Sequence, residues 1–297
     1  MAAAPGRPKQ GTAPSGGSAA HVVASVGATP FWPSEAIWEA VAPGLPGFTV
    51  EVLPTIDSTN SELMRRAKAG QLEPVLLVAE RQTAGRGRMG RDWRSGGAGT
   101  GHGVASHGSL CFSLGLALSP KSWSGLSLAV GVSVAQSLHP DLRLKWPNDI
   151  WLDQRKLGGI LIETGSFGDL RYVVIGVGIN ITARDGAGLS TPPAWLQEVQ
   201  PAMDSGQALQ RIAAPLVQVI HSFEAHGFAP FQARFNALDV LAGRAVIFSD
   251  GTAGEARGAD ETGALWVQTS AGLRKITSAE VSVRPATAGS PVPARPC

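Results

Sequence analysis

Apolar positions change their spacing several times along this chain, and each change marks an element. Phe48–Leu53 alternates apolar and polar residues, the two-residue period of a strand. Ser61–Ala69 reads as a helix that stops at Gly70, with Thr59 and Glu62 at capping-box spacing before it. Val75–Glu80 and Leu110–Leu118 read as buried strands, and Trp123–Leu138 suits a buried helix. Leu142–Trp151 and Lys156–Thr164 form two further strands joined through Asp153-Gln154-Arg155 in a hairpin, and Tyr172–Ile181 adds another. Leu209, Ile212, Leu216, Val219, Ile220 and Phe223 fall on one helical face. Beyond residue 240 only short strands are predicted: Ala245–Phe248, Gly254–Arg257, Ala264–Gln268, Leu273–Ile276 and Val281–Arg284. Asp250-Gly251 and Thr262-Gly263 punctuate them as turns, and short strands with tight turns suggest a small barrel. The predicted class is α+β, with a mixed β-sheet and helices over residues 31–238 and a small C-terminal β-barrel over 240–285. Residues 1–30 form a low-complexity leader and 286–297 a Pro/Ala/Gly tail, both expected to be disordered.

Composition narrows the function classes. With 297 residues, 43% hydrophobic and 16% charged, the chain can bury a normal core. The net charge is +2 (25 basic less 23 acidic residues), so any anion binding must be local. The two cysteines, Cys111 and Cys297, form neither a CxxC pair nor a metal spacing, which favours a reducing compartment, the cytoplasm. No apolar run reaches membrane-spanning length. The leader lacks an acid before Glu35, as a transit peptide does, but its arginines are scarce, so disorder without organellar targeting is the expectation.

Chemistry concentrates in a few segments, each with more than one reading. In Gly85-Arg86-Gly87-Arg88-Met89-Gly90-Arg91, glycines let backbone N–H groups approach a ligand and arginines supply planar cationic forks. That describes an anion-binding loop, a solvated basic loop, or a hook for the minor groove of nucleic acid. Lys145-Trp146-Pro147-Asn148-Asp149 precedes Lys156-Leu157-Gly158-Gly159. Pro147 predicts a break in its strand, and Asn148 and Asp149 could hold Mg²⁺ or accept from a nucleophile. Lys156 beside bare backbone suits a slot for a carboxylate or phosphate; surface charge on a hairpin is the alternative. In Tyr172–Ile181, alternation puts Ile175, Val177 and Ile179 on one face and Gly176, Gly178 and Asn180 on the other, a flat floor for a ring or for another backbone. Thr59 in Asp57-Ser58-Thr59-Asn60 reads first as a helix cap, and a helix N-terminus also offers N–H groups to a ligand.

The order of these segments, with Gln82-Thr83-Ala84 leading into the Gly/Arg loop, resembles the catalytic domain of the biotin–protein ligases. The resemblance covers about residues 45–285, and Arg257-Gly258 and Val281-Ser282-Val283-Arg284 extend it into the C-terminal barrel. It implies a class II synthetase-like domain with an SH3-like barrel. It also implies two steps: biotin and ATP give biotinyl-5′-AMP and pyrophosphate, and a lysine of a biotin carboxyl carrier domain then takes the biotin. Carried over by position, Ser58, Thr59 and Gln82 resemble residues that bind the ureido end of biotin. Gly85, Gly158, Gly176 and Gly178 would line the biotin slot. Arg86 and Arg88 resemble residues that order the loop and contact biotin and phosphate, with Arg91 and Trp93 beside the same ligand. Lys156 resembles the lysine that holds the reacting carboxylate and phosphate oxygens, and Asp149 the acid that receives the acceptor lysine. Asn148 would help place the nucleotide or Mg²⁺, Asn180 would meet adenine, and Trp195 would stack on it. The residues before the catalytic domain lack the two amphipathic helices of a helix-turn-helix, so the monofunctional type without sequence-specific DNA binding is expected. A lipoate or octanoate ligase of the same fold and a non-enzymatic nucleic-acid binder are the rival functions.

Overall fold

The computed structural model describes residues 1–2, 32–95, 108–186, 189, 191–251 and 253–277, and the backbone of 283–285. Apart from Met1 and Ala2, the predicted leader lies outside the described residues, as do the tail and most of the Gly/His-rich stretch after Ser95. The helices are α1 (Ser34–Val41), α2 (Thr59–Lys68), α3 (Leu126–Leu138), α4 (Ser205–His226) and α5 (Gln232–Leu238). The strands before α3 are β1 (Thr49–Ile56), β2 (Val75–Gln82), β3 (Gly85–Arg86), β4 (Asp92–Trp93) and β5 (Ser109–Ala117). After it come β6 (Arg143–Lys145), β7 (Asp149–Leu152), β8 (Arg155–Phe167) and β9 (Leu170–Asn180). The C-terminal strands are β10 (Ala245–Phe248), β11 (Ala253–Ala259), β12 (Leu265–Thr269), β13 (Gly272–Ile276) and β14 (Val283–Pro285).

The main sheet has seven strands in the order β1-β2-β5-β9-β8-β7-β6. Only β1 and β2 run parallel, with α2 as their crossover. Period-two alternation explains how both faces are covered. Leu76 and Val78 of β2, with Val173 and Ile175 of β9, pack in the large core with α1, α3 and α4. Their neighbours Val75, Leu77, Tyr172 and Val174 face the other way, against Leu63 and Ala67 of α2. Each such leucine, fully buried, contributes about 2 kcal/mol. The ten-residue α2 covers only part of its face of the sheet. Beyond it, Gly176, Gly178 and Asn180 line a cavity instead of a core.

The C-terminal strands form an antiparallel sheet in the order β13-β12-β11-β10-β14, and among the described residues no pairing closes it into a ring. This small unit docks on the main domain beside the site. Trp146 Nε1 donates to the Gly263 carbonyl at 3.1 Å, Ser124 Oγ to that of Thr262 at 2.6 Å, and Val240 N to that of Leu144 at 2.9 Å.

Several predicted elements shift in detail. The cap of α2 is Ser58, which accepts from Ser61 N, so Thr59 is the first helical residue and frees its hydroxyl for other bonds. The predicted strand Leu142–Trp151 is two strands, because Pro147 has no N–H for a ladder. Its hairpin turns on Asp153 and Gln154 alone, both at positive φ (46° and 61°), the signature of a two-residue type I′ connection. Helix α3 starts at Leu126, after Gly125 at φ 82°. The short helices α1 and α5 escaped the pattern, because eight and seven residues hold too few turns to show a period.

Candidate functional site

A cavity of about 450 Å³ opens on the face of the main sheet that α2 leaves bare. One end is a neutral polar cradle at the start of α2. Gln82 Oε1 accepts from Thr59 N at 2.8 Å and Thr59 Oγ1 at 3.1 Å. Ser113 Oγ lies 2.7 Å from both Thr59 Oγ1 and Asn60 Oδ1 and donates into that pair. Asn60 Nδ2 donates to Glu163 at 2.9 Å. Ser58, Thr59 and Asn60 are buried, so every one of these groups must find a partner within the protein or in a ligand.

The floor is β9, and its glycines are occupied by protein. A Cβ on Gly176 would lie 2.0 Å from Asn60 Oδ1, and one on Gly178 would lie 2.5 Å from the Trp93 indole. The ring that rests on the floor is thus Trp93, whose Nε1 donates to the buried thiol of Cys111 at 3.2 Å. Trp93 is carried by the β3–β4 hairpin, and the Gly/Arg loop is the tip of that hairpin. Met89 sits there at φ 57° and Gly90 at φ 69°, a left-handed pair that reverses the chain. Arg86 leaves the hairpin to pair with Glu163 of β8 at 2.6 Å.

The opposite wall holds the charges. Lys156 Nζ stands 2.6 Å and Lys145 Nζ 3.6 Å from the two oxygens of Asp149. Burial by itself would push the Asp149 carboxyl up, but Lys156 and Lys145 outweigh it and hold it below the usual carboxylate range. Burial pulls Lys145 down, with Asp149 opposing and Lys156 adding to the fall. Arg88 is likewise lowered by burial, with Asp149 opposing, and donates to Asn148 Oδ1 at 3.3 Å.

A β-bulge creates this cluster. Ile150 pairs with Gly158 but Trp151 pairs with Lys156, so one residue of β8 is inserted between them. The insertion turns Lys156 onto the face of Gly159, whose missing side chain leaves room: a Cβ there would sit 3.5 Å from Lys156 Nζ.

Most of the sequence-derived candidates meet in this cavity: Ser58, Thr59, Gln82, Arg86, Arg88, Arg91, Trp93, Asn148, Asp149, Lys156, Gly176, Gly178 and Asn180 all line it. Three do not. Gly85 is needed by the hairpin, since a Cβ would fall 2.5 Å from the Trp93 carbonyl oxygen. Gly158 faces the core because of the bulge, where a Cβ would meet the Gly178 carbonyl oxygen at 2.6 Å, and Gly159 takes its place at the cavity. Trp195 lies outside the lining, with the Arg155 guanidinium 5.8 Å from its ring. Asn148 and Asp149 do not form a cradle for Mg²⁺: Asn148 Oδ1 faces Arg88 and both Asp149 oxygens face lysines. Among the described residues no cluster of three His, Cys, Asp or Glu could hold a metal. Reading by motif passed over Asn60, Lys145 and Arg184, although Asn60 and Lys145 sit inside quoted segments and Arg184 follows soon after β9 ends at Asn180.

Comparison with known proteins adds an independent line. Residues 52–180 match the biotin/lipoate A/B protein ligase family, and residues 243–284 match the biotin protein ligase C-terminal domain. The chain is 36% identical over 253 residues to the bifunctional ligase/repressor BirA of Escherichia coli, covering 82% of this chain and 76% of that protein. It is 33% identical over 247 residues to the biotin–[acetyl-CoA-carboxylase] ligase of Paracoccus denitrificans, covering 77% and 98%. Its structure is similar to that of the biotin protein ligase from Aquifex aeolicus in complex with biotin and ATP, with a TM-score of 0.66 and 28% identity over 80% of this chain and 99% of that one.

Proposed function

The chain belongs to the biotin protein ligase family, and from that premise we propose how its cavity performs an ATP-dependent ligation of biotin to protein. The observation that carries the reading is the polarity of one cavity: a neutral hydrogen-bonding cradle at one end and a partly buried Lys156–Asp149–Lys145 cluster facing Arg88 along the wall. Ser58, Thr59 and Gln82 would take the uncharged ureido ring, which needs donors and acceptors but no ions. The carboxylate end would then extend toward Lys156.

In the first step a carboxylate oxygen attacks the α-phosphorus of ATP, the bond to the bridging oxygen breaks, and pyrophosphate leaves. Two anions must approach, and Lys156, Arg86 and Arg88 would offset their repulsion and the charge that grows at phosphorus. Fixing both reactants in one slot supplies further acceleration. In the second step the amine of an acceptor lysine attacks the acyl carbon, AMP leaves, and a proton is released. Asp149, held ionised, would receive that amine as it already receives two ammonium groups. The Gly/Arg loop would keep water from the mixed anhydride. Mg²⁺ would arrive on the phosphates of ATP, since the Asn148 and Asp149 oxygens are already taken.

The acceptor would be the lysine of a biotin carboxyl carrier domain, and the protein would work in the cytoplasm. Its described cysteine, Cys111, is a free thiol, as a reducing compartment requires. No helix among the described residues is long and apolar enough to cross a membrane.

The test is exchange of labelled pyrophosphate into ATP with biotin, lipoate or octanoate as the acid. Exchange with biotin alone is the expected result. Exchange with lipoate instead would keep the fold and overturn the substrate, and no exchange with any acid would overturn the ligase reading.

A further inference from the structure

We propose that Arg155 and Glu198 are positioning residues for adenylate formation: paired outside the cavity, they fasten the segment Pro192–Trp195 against the start of β8 and so fix the main chain from which Lys156 reaches into the site. This rests on the reading of the cavity as the biotin and ATP site.

Lys156 stands where β8 loses a neighbour. The last β8–β9 pair is Gly158 with Ile179, and β9 ends at Asn180. Beyond that point the N–H and carbonyl of Lys156 need other partners, and the chain returns to supply them. Lys156 N donates to the Pro192 carbonyl at 3.1 Å, and Ala194 N donates to the Lys156 carbonyl at 2.8 Å, a parallel bridge centred on Pro193. A proline fits the centre, because the residues on either side of it make the bonds. The returning segment is also a wall, since Thr191 and Pro193 line the cavity. Toward β7, the ladder is interrupted at Leu157 by the bulge, so the bridge carries much of the hold on the Lys156 backbone.

Two bonds at the end of a strand fray unless the segment is tied down from elsewhere. Glu198 and Arg155 supply the tie. Glu198 closes the turn Leu196–Glu198, its Oε1 accepting from Trp195 N at 3.0 Å. The same oxygen accepts from Arg155 Nη1 at 3.1 Å, and Oε2 accepts from Arg155 Nη2, so guanidinium and carboxylate meet as two forks. Arg155 Nη1 also reaches the Pro193 carbonyl at 3.4 Å, and the guanidinium carbon lies 5.8 Å from the centre of the Trp195 ring. One side chain of β8 thus touches the returning segment at Pro193, Trp195 and Glu198. The side chains of the pair are 29% and 19% exposed, and a forked, partly shielded ion pair holds position where a solvated one does not.

Adjacency links this tie to the chemistry. Arg155 directly precedes Lys156, yet Arg155 and Glu198 lie outside the cavity lining and Lys156 lies within it, with Nζ 2.6 Å from Asp149 Oδ1. A reacting group misplaced by about 1 Å can lose about 100-fold in rate, so a loosened Lys156 backbone should lose about tenfold.

The experiment follows single-turnover formation of biotinyl-5′-AMP at saturating biotin and ATP. The full chain carries Arg155→Gln, Arg155→Lys, Glu198→Gln or the Arg155→Gln/Glu198→Gln pair, each in the parent and in a Lys156→Ala background. Biotin affinity is measured by calorimetry. In the parent background Arg155→Gln and Glu198→Gln should each slow the step about tenfold, with biotin affinity within about twofold of the parent. The paired variant should be no slower than the poorer single one. Arg155→Lys keeps the charge but not the fork, so its rate should fall between those of the parent and Arg155→Gln. In the Lys156→Ala background the same substitutions should change the rate less than about twofold, because the group they position is gone. Rates within about twofold of the parent for both glutamine variants would overturn the proposal. So would equal slowing in the two backgrounds, or a matching loss of biotin affinity, the results of a general loosening of the fold. Absence of biotin-dependent adenylate in the parent protein would instead sink the underlying reading, so the two failures are separable.

Discussion

Replacing Gly176 by alanine tests the cradle and the floor together. The new Cβ would stand 2.0 Å from Asn60 Oδ1 and 2.8 Å from its Cγ, well inside van der Waals contact. Gly176 sits in the interior of β9, paired on both sides with β5 and β8, so the backbone cannot give way. The Asn60 amide must leave, and with it go its bonds to Ser113 at 2.7 Å, Glu163 at 2.9 Å and the Leu161 carbonyl at 3.3 Å. Ser113 keeps Thr59 and Glu163 keeps Arg86, so the loss falls on the displaced amide and on Leu161. Stranded buried groups cost about 1–3 kcal/mol each, which puts the total near about 3 kcal/mol. For a domain of this size that is a drop in Tm of roughly 6–12 °C. Thermal unfolding of four proteins measures it: parent, Gly176→Ala, Asn60→Ala, and the double variant. Once Asn60→Ala has removed the amide, Gly176→Ala should cost less than about 1 kcal/mol, because the clash is gone. Additive losses would refute the reasoning, as would a Gly176→Ala protein that melts with the parent. Biotin affinity should fall in the single variant too, since Thr59 belongs to the same hydrogen-bond network.

Further outcomes are expected. Lys156→Ala should slow adenylate formation roughly 100- to 1,000-fold in single-turnover assays, because it removes the group facing the reacting oxygens; turnover near the parent rate would take Lys156 out of the mechanism. Arg88→Gly should release biotinyl-5′-AMP about tenfold faster in ligand-dissociation measurements, the worth of one charge-assisted bond. Asp239, with Oδ2 unpartnered, is pushed up to about 6 by burial, against the opposing effects of its bond from Leu241 N and of Lys145. Its folded form therefore binds the proton more tightly than the unfolded chain, so stability falls as pH rises from about 4 to about 6. Asp239→Asn should remove that fall, which is at most roughly 3 kcal/mol, and a difference in Tm from the parent that stays flat between pH 4 and 7 would show the carboxyl is not the cause.

The sequence by itself determined what depends on near neighbours. Alternation along β9 assigned Val177 and Ile179 to the core, and the structure buries both. The lack of an N–H at Pro147 announced a broken strand, and the break is there. Segment order in the chain was enough to indicate the family. What only the tertiary structure decided is what each open position faces. The Gly158-Gly159 pair read as bare backbone beside Lys156, but one inserted residue in β8 leaves Gly159 at the cavity and turns Gly158 to the core. Glycines that read as a ligand's floor are covered by Asn60 from α2 and by Trp93 from the hairpin. Asn180, expected to meet adenine, also donates to the Ala194 and Lys156 carbonyls, bonds that no local pattern announces. The physical reason is range: a period is set by residues a few positions apart, whereas a bulge, a cover or a counter-ion is set by register and packing between segments distant in the chain.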